Sequence, residues 1–302
     1  MLDYTKITTE QVNEATLDID LCDSLDVVRL INEEDKKVAE AVSRVLPEIA
    51  WAVDAIVDGM KQGGHLYYIG AGTSGRLGVL DASECPPTYS TDPSLVVGII
   101  AGGDTALRNA VEGAEDDGEA GAAEMVSRKV GAGDVVVGIT ASGSARYVYG
   151  ALEEARRRGA VTVALCSTTA PALAAVADIC ILPISGPEAI MGSTRMKSGT
   201  AQKMVLNMLS TAAMVRLGKT FHNLMVDLSP SNIKLRDRSV RIVMQATGAE
   251  RAEAEEALTQ GGTPKAAIVM LLTGCTAAEA QAALEKGEGR VRQAIQLQKG
   301  EA

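Results

Sequence analysis

The sequence contains few aromatic residues: one Trp, one Phe and six Tyr among 302 residues. Its core must therefore be aliphatic, and we expect no aromatic platform of the kind on which single-stranded nucleic acids stack. Basic residues are also fewer than acidic ones: 29 Lys and Arg against 39 Asp and Glu give a net charge of −10. A field of this sign repels polyanions and acidic membrane surfaces, so the sequence predicts neither a nucleic-acid partner nor a membrane partner.

Disulfide and metal-binding patterns are missing as well. The five cysteines form no CxxC pair, and their odd number argues against a complete set of intramolecular disulfides, which favours a reducing compartment. Neither of the two histidines, His65 and His222, has a carboxylate or a cysteine at a spacing typical of metal ligands. We therefore expect no metal site.

Long apolar runs are absent too. No stretch reaches about eighteen uninterrupted apolar residues, the length expected of a membrane-spanning helix. The first residues also lack the basic and apolar regions of a secretion signal. The expected location is therefore the cytoplasm.

Short β-branched runs alternate with segments of helical periodicity between residues 65 and 184. This alternation is typical of α/β folds in which helices cover both faces of a parallel sheet, giving three α/β/α layers. At roughly 150 residues per domain, the length suits two folding units or one larger α/β domain with a small appendage. Strands are predicted over 65–69, 95–100, 135–140, 161–166 and 179–184.

Helical patterns dominate both ends of the chain. An N-terminal helical segment is expected over 1–60, where Pro47 suits the first turn of a helix. The sheet domain is expected over 61–247, followed by a small C-terminal helical bundle over 248–302. In that bundle Thr276 and Glu279 have the spacing of a capping box. Further helices are predicted from near residue 104 and over 145–158, 196–217 and 231–246. The helix after the first strand is expected to end at Glu84, just before two prolines.

A glycine-rich turn, Gly70-Ala71-Gly72-Thr73-Ser74-Gly75, follows the first predicted strand and is here called the first turn. It matches the G-x-G-x-x-G pattern of dinucleotide sites, but the next strand ends without an acidic residue at the required spacing of about 20. The hydroxyls of Thr73 and Ser74 instead suit a single phosphate bound at a helix N-terminus. The alternative is that these hydroxyls only cap the helix.

A similar sequence, Thr140-Ala141-Ser142-Gly143-Ser144-Ala145, follows the third predicted strand and is here called the second turn. It repeats the supply of hydroxyls with Thr140, Ser142 and Ser144. We expect the two turns to hold a phosphate and sugar hydroxyls between two helix starts. Direct hydrogen bonds must supply most of the affinity, because a helix dipole contributes only about 0.3 to 1 kcal/mol.

The run over residues 70–88, which ends in Ser83-Glu84-Cys85-Pro86-Pro87-Thr88, closely resembles the signature of the N-acetylmuramic acid 6-phosphate etherases. The Glu-Cys-Pro-Pro segment makes the resemblance specific, since it is not a general feature of sugar isomerase (SIS) domains. The resemblance implies an SIS domain, a homodimer and a phosphosugar substrate, N-acetylmuramate 6-phosphate, whose D-lactyl ether is cleaved. It implies no metal, nucleotide or other cofactor. Further similarity lies over 111–116, 186–188, 193–203 and 223–227.

The resemblance also implies the site residues. Glu84 is expected to be the proton donor, and Glu115 the second catalytic carboxylate, most simply the base at C2 of the open-chain sugar. We expect the sequence from Cys85 to Pro87 to give Glu84 an apolar surrounding. The residues expected to bind substrate are Gly72, Thr73, Ser74, Gly75, Arg76, Glu112, Thr140, Ser142, Ser144, Glu188, Ser193, Arg195 and Lys197.

Other interpretations stay open on the residues alone. The acidic residues between 112 and 119 are typical of a solvated helix surface, and Arg195 and Lys197 of ordinary surface charge. An aldose-ketose isomerase on the same domain would also move a C2 proton, although the Glu-Cys-Pro-Pro segment argues against it. A non-catalytic phosphosugar sensor, similar to the glucokinase regulatory proteins, would bind without turnover, although Glu84 and Glu115 favour the enzyme.

Overall fold

The structure is a computed structural model that describes residues 8–228 and 233–300. The chain folds into two compact units. The first consists of Met1–Ser83 and Pro93–Ser210, and the second of Glu84–Asp92 and Thr211–Ala302. Two long helices therefore contribute residues to both units. The three folding segments expected from the sequence stay a prediction.

The first unit is built on a five-stranded sheet whose strands are all parallel, in the order β2-β1-β3-β4-β5. The predicted parallel sheet is thus confirmed. The last strand is shorter than expected because Pro183 cannot donate to a ladder of hydrogen bonds. The strands are β1 (Leu66–Gly70), β2 (Val96–Ile100), β3 (Val135–Ile139), β4 (Val161–Leu165) and β5 (Ile179–Ile181).

Helices of the first unit cover both faces of this sheet. In α3, a Cβ added to Gly78 would meet the side chains of Tyr68 and Ile139. A Cβ added to Gly138 would instead meet Val148 of α5. Residues 138 and 139 point to opposite faces of their strand, so the two helices lie on opposite faces and the three-layer prediction is confirmed. The helices are α1 (Ser24–Ser43), α2 (Leu46–Lys61), α3 (Gly72–Tyr89), α4 (Gly118–Ser127), α5 (Arg146–Arg157) and α6 (Lys197–Arg216).

The predicted N-terminal helices are present, but their apolar stripe is only partly buried. Pro47 lies in the first turn of α2 as expected. Val38 and Val42, near the end of α1, are buried in the core. Leu25 and Val28, in its first two turns, are 54% and 56% exposed. Helical periodicity therefore identified the helix without showing that its first half would stay uncovered in the isolated chain.

Two details of the helix prediction are wrong. The segment that begins near residue 104 is only a short 3-10 helix, Gly103–Leu107, because Gly102 and Gly103 take positive φ angles that interrupt a regular helix. The helix α3 was expected to end at Glu84 but continues through Pro86 and Pro87 to Tyr89. A proline has a φ angle that suits a helix but no N–H, so each of these two prolines removes one hydrogen bond without ending the helix.

The described elements of the second unit are helical, apart from an isolated bridge between Phe221 and Leu224. The predicted helix over 231–246 is observed from Ile233, while residues 231 and 232 lie outside the described residues. The capping box of Thr276 and Glu279 forms both of its hydrogen bonds. The helices are α7 (Ile233–Thr247), α8 (Arg251–Gly261), α9 (Pro264–Thr273), α10 (Ala277–Lys286) and α11 (Val291–Lys299).

The length and composition of the helices bear on membrane insertion. Within 8–228 and 233–300, no single helix is long and apolar enough to cross a membrane. Only α9 and α10 taken together reach that length and composition, and they are bent by 109° at their junction.

Candidate functional site

A cavity of about 290 Å³ lies at the carboxyl ends of β1 and β3, where the chain crosses from β1 in one direction and from β3 in the other. Such a switch in strand order is where open parallel sheets form their ligand crevices. We call it the switch-point cavity. Its lining residues, all from the first unit, are Glu10, Ala71, Gly72, Thr73, Ser74, Glu115, Thr140, Ala141, Ser142, Ala145 and Thr194.

The first turn leads from β1 directly into α3. A Cβ at Gly75 would lie 2.6 Å from Ile100 Cγ1 and 2.7 Å from the carbonyl oxygen of Gly70, so this position requires glycine. The close packing places Thr73 and Ser74 in the first turn of α3, where backbone N–H groups have no acceptor within the helix. These N–H groups and the two hydroxyls lie where the anion site was expected, and their role in binding stays a prediction.

The second turn has a different conformation despite its similar sequence. Thr140 continues the ladder beyond β3 by donating its N–H to the Leu165 carbonyl over 3.1 Å. The Ser142 and Ser144 hydroxyls lie 2.8 Å apart and bond to each other. Of these three residues, Thr140 and Ser142 line the switch-point cavity and Ser144 does not. The second turn therefore supplies two of its three expected hydroxyls.

Glu115 lies in the same cavity, on the short 3-10 helix Ala114–Asp116. Glu115 is exposed as a residue, but the surrounding chain partly desolvates its carboxyl and thereby raises the pKa, and the neighbouring charge of Asp116 raises it further. A carboxylate with a raised pKa is a stronger base and is more readily protonated near neutral pH. The structure thus brings an acid-base group beside the two hydroxyl-bearing turns.

A second cavity, of about 320 Å³, adjoins the first and shares Ala71, Gly72 and Glu115 with it. Arg76 and Glu112, both expected to bind substrate, line this second cavity. The Arg76 guanidinium donates from Nε to the Leu107 carbonyl over 3.1 Å. Arg76 therefore also holds the loop that leads to Glu115.

Residues 188–197 carry further predicted site residues, and most of them make structural contacts here. The Glu188 carboxylate is fully buried and accepts from the backbone N–H groups of Lys197 and Ser198, both over 2.9 Å. The Lys197 ammonium is buried as well and donates to Glu34 over 2.6 Å and to the Ser185 carbonyl over 3.0 Å. Both charges therefore hold the start of α6, and their roles in binding stay predictions.

The other residues of this segment are more accessible. Ser193 accepts a backbone hydrogen bond from Met196, and Arg195 is exposed. Glu84 belongs to the second unit, and its side chain is exposed, so the expected apolar surrounding is wrong for the chain as described. Cys85, next to it, is buried. The proposed roles of these residues remain predictions.

Three residues at or behind the cavity were missed by the sequence analysis. Thr194 lies within the segment that resembles the etherases, which is a usable signal. Glu10 is an isolated acidic residue near the start of the chain, and nothing in its sequence context marks it. Gln202 lies on α6 and accepts a hydrogen bond from Ser74, a contact between residues far apart in sequence. In the part of the chain that is described, no cluster of three or more His, Cys, Asp or Glu side chains suits a metal ion.

Comparison with known proteins identifies the family to which the chain belongs. Residues 48–156 match the family model of the glucokinase regulatory protein N-terminal SIS domain, and residues 114–212 match that of the SIS domain. An N-acetylmuramic acid 6-phosphate etherase of Symbiobacterium thermophilum is 57% identical over 88% of this chain and 89% of its own length. The chain belongs to the N-acetylmuramic acid 6-phosphate etherase family. A second etherase, from Caldanaerobacter subterraneus, is 52% identical over 97% of this chain and 96% of its own length.

Membership in the etherase family confirms the resemblance drawn from residues 70–88, and the SIS family models confirm the predicted domain type. Among solved structures, a phosphoheptose isomerase from Francisella tularensis has a TM-score of 0.49 and 21% identity. The match covers 63% of this chain and 100% of that chain.

Proposed function

We propose that the chain is an N-acetylmuramic acid 6-phosphate etherase that releases D-lactate and N-acetylglucosamine 6-phosphate. The observation that carries the proposal is the 52% identity to an etherase over 97% of the chain. The cavity supports it independently, because Thr73, Ser74, Thr140 and Ser142 offer hydroxyls suited to a phosphosugar.

The chemistry requires a base, an acid and a water molecule. Glu115 removes the C2 proton of the open-chain aldehyde, the bond between C3 and the lactate oxygen breaks, and that oxygen takes a proton from Glu84. Water then adds its hydroxyl at C3 of the C2=C3 double bond and gives its proton to the Glu84 carboxylate, while protonated Glu115 returns its proton to C2. Each positioned acid or base is worth roughly 10²- to 10⁴-fold in rate, so two carboxyl groups are a reasonable minimum.

The support for the two carboxyl groups differs. The raised pKa of Glu115, caused first by burial and then by Asp116, makes its carboxylate a stronger base. The role of Glu84 is supported by its place in the Glu-Cys-Pro-Pro segment. The remaining predicted substrate contacts, from Gly72 to Lys197, belong to this proposal.

The test is D-lactate release from N-acetylmuramate 6-phosphate in buffer that contains EDTA. We expect release by the wild type and losses of at least about 100-fold in Glu115→Gln and Glu84→Gln. Glu119→Gln is the matched control, because Glu119 is an exposed acidic residue close to Glu115 in sequence. Wild type that binds N-acetylglucosamine 6-phosphate but releases no lactate would place the protein among the phosphosugar sensors.

We also propose that the chain forms a homodimer. The support is the family resemblance together with large apolar side chains that the isolated chain leaves uncovered: Leu21, Leu25 and Val28 are 80%, 54% and 56% exposed. Sedimentation equilibrium should give twice the chain mass, and Leu25→Glu should lower it. An active species that sediments as a monomer contradicts the dimer.

The cytoplasmic location stays part of the proposal. Its support is the state of the cysteines, since all five are free thiols. Cell fractionation followed by detection of the protein in the soluble, reducing fraction is the measurement, and recovery from an oxidising compartment contradicts it.

A further inference from the structure

Gln202 lies directly behind the first turn. Its side chain, on α6, is 1% exposed, and its Oε1 accepts a hydrogen bond from the Ser74 hydroxyl over 3.0 Å. Ser74 is itself 8% exposed and lines the switch-point cavity. Gln202 is therefore buried one residue away from the space in which the phosphosugar is proposed to bind.

The cavity lining is short of positive charge. Among its described residues there is neither Lys nor Arg, while Glu10 and Glu115 are acidic. Lys203, next to Gln202 in sequence, is paired with Asp81 over 2.6 Å. Within this lining a phosphate meets only neutral donors, namely backbone N–H groups and hydroxyls, while Arg76 lines the adjoining cavity. The direction in which each lining hydroxyl donates therefore matters for binding.

The hydrogen bond as assigned directs the Ser74 proton away from the cavity. Ser74 then presents only lone pairs to a ligand, which repel a phosphate. The Gln202 Nε2 group is buried and has no hydrogen-bond partner among the described residues. Turning the amide by 180° exchanges its oxygen and nitrogen with little change of shape, and the two orientations are told apart only by their hydrogen bonds.

We propose that Gln202 is a positioning residue that makes Ser74 a donor to the substrate phosphate. With its amide turned, Gln202 Nε2 donates to Ser74 Oγ, and the Ser74 hydroxyl donates to a phosphate oxygen. The two bonds polarise each other, which strengthens the contact with the anion. Gln202 does not touch the ligand and acts only through Ser74. This role rests on the proposed function, because it requires a phosphosugar in the cavity.

The role is tested with Gln202→Met, which keeps the length of the side chain and removes its donor, and with Ser74→Ala. We expect each to raise KM for N-acetylmuramate 6-phosphate roughly fivefold while kcat changes less than about twofold. The Ser74→Ala/Gln202→Met double variant should lose no more than Ser74→Ala alone, because Gln202 has no other route to the ligand. Asn207→Met, at an exposed position of the same helix, is the control and should leave KM unchanged.

Gln202→Glu keeps the shape of the side chain and can only accept from Ser74 when ionised, so it should raise KM more than Gln202→Met does. If Gln202→Met does not fold, as judged by its circular dichroism and melting temperature, Gln202→Glu takes its place in the double variant. Effects of the two single substitutions that add in the double variant overturn the proposal. So does a loss in Gln202→Met that falls on kcat with KM unchanged.

A binding measurement separates this proposal from the proposed function. Titration calorimetry compares N-acetylglucosamine 6-phosphate with N-acetylglucosamine, and Gln202→Met should reduce only the advantage given by the phosphate. If wild type releases no lactate but this pattern holds, the etherase function fails and the positioning role stands. If wild type releases lactate and Gln202→Met keeps the full phosphate advantage, the positioning role fails and the function stands.

Discussion

The two turns that follow β1 and β3 have nearly the same pattern of small and hydroxyl residues, yet their side chains are held in different ways. Ser74 of the first turn and Ser144 of the second occupy corresponding positions. Ser74 bonds to Gln202 on another helix and lines the cavity, whereas Ser144 bonds to Ser142 within its own turn. A repeated motif thus predicts where hydroxyls lie along the chain, but not which residues each hydroxyl contacts.

The largest effect is expected from Glu115, which lies in the cavity that both turns line. Glu115→Gln removes the base without changing the size of the side chain, so kcat should fall at least about 100-fold with little change in KM. Substitutions in the turns should do the reverse. Steady-state kinetics of lactate release measures both, and a Glu115→Gln enzyme that keeps its kcat removes the residue from the mechanism.

Substitution of Lys197 tests whether its buried ion pair with Glu34 stabilises α6, the helix that carries Gln202. Lys197→Met removes one of the two ammonium groups that pair with the buried Glu34 carboxylate and leaves Lys37, over 2.6 Å, as the other. The loss of this charged hydrogen bond should cost about 1.5 to 3 kcal/mol in the free energy of unfolding. The double variant Glu34→Gln/Lys197→Met should recover part of that loss. Urea unfolding measures stability. An unchanged stability with a raised KM would instead place Lys197 in contact with substrate, as the family resemblance implies.

Exchanging one residue between the turns tests their different backbones. Gly75 of the first turn corresponds to Ala145 of the second. Gly75→Ala places a Cβ against Ile100 and the Gly70 carbonyl, so we expect a loss of about 1 to 3 kcal/mol in unfolding free energy. Ala145→Gly should cost only about 0.5 to 1 kcal/mol, through chain entropy. Thermal melting compares the two, and equal losses would mean that the first turn is not the tighter one.

Ser74 and Ser144 occupy corresponding positions in the two turns, and their alanine variants are compared by the change in KM. Ser74→Ala should raise KM roughly fivefold, and Ser144→Ala less than about twofold, because Ser144 is turned toward Ser142. Equal effects on KM would show that both turns contact the phosphosugar in the same way.

The smallest effect concerns pH. Burial, with help from Asp116, raises the pKa of Glu115, so the folded chain binds this proton more tightly than the unfolded chain does. Its contribution to stability is therefore present at low pH and is lost as pH rises through the raised pKa. Carbon NMR of the side-chain carboxyls, with Glu115→Gln to assign the signal, should show titration above the usual value of 4.5. Titration at or below that value contradicts the burial.

The sheet was predictable because its strands are short, buried, β-branched runs separated by clear helical periods. Val135–Ile139 is an example, with every residue buried. The end of a helix was predicted less accurately where the helix contains residues that usually end one, as α3 does with Pro86 and Pro87. There the prolines cost hydrogen bonds but do not end the helix, so their presence is a poor guide to where it ends.

The site was predictable to the extent that its residues lie in the turns. Thr73 and Ser74 stand out because glycines and hydroxyls follow a strand, and Glu115 was expected only through the family resemblance. Glu10 could not be found, because nothing in its sequence context marks it. Gln202 lies in the similar segment 193–203, but its contact with Ser74 joins residues far apart in sequence and was missed. Nor did the sequence indicate that Glu188 accepts a hydrogen bond from the backbone at the start of α6, or that the Lys197 ammonium pairs with Glu34.

The second unit is not a contiguous piece of the chain, since Glu84–Asp92 belongs to it together with the C-terminal residues. Ser90 in that insert donates to the Asp227 carbonyl. A protein fragment that contains only the C-terminal helices therefore lacks part of its own unit. Recombination between relatives with a single crossover near residue 210 separates Glu84–Asp92 from the helices of the same unit. Chimeras that transfer Glu84–Asp92 together with the C-terminal helices should be the ones that express as stable proteins.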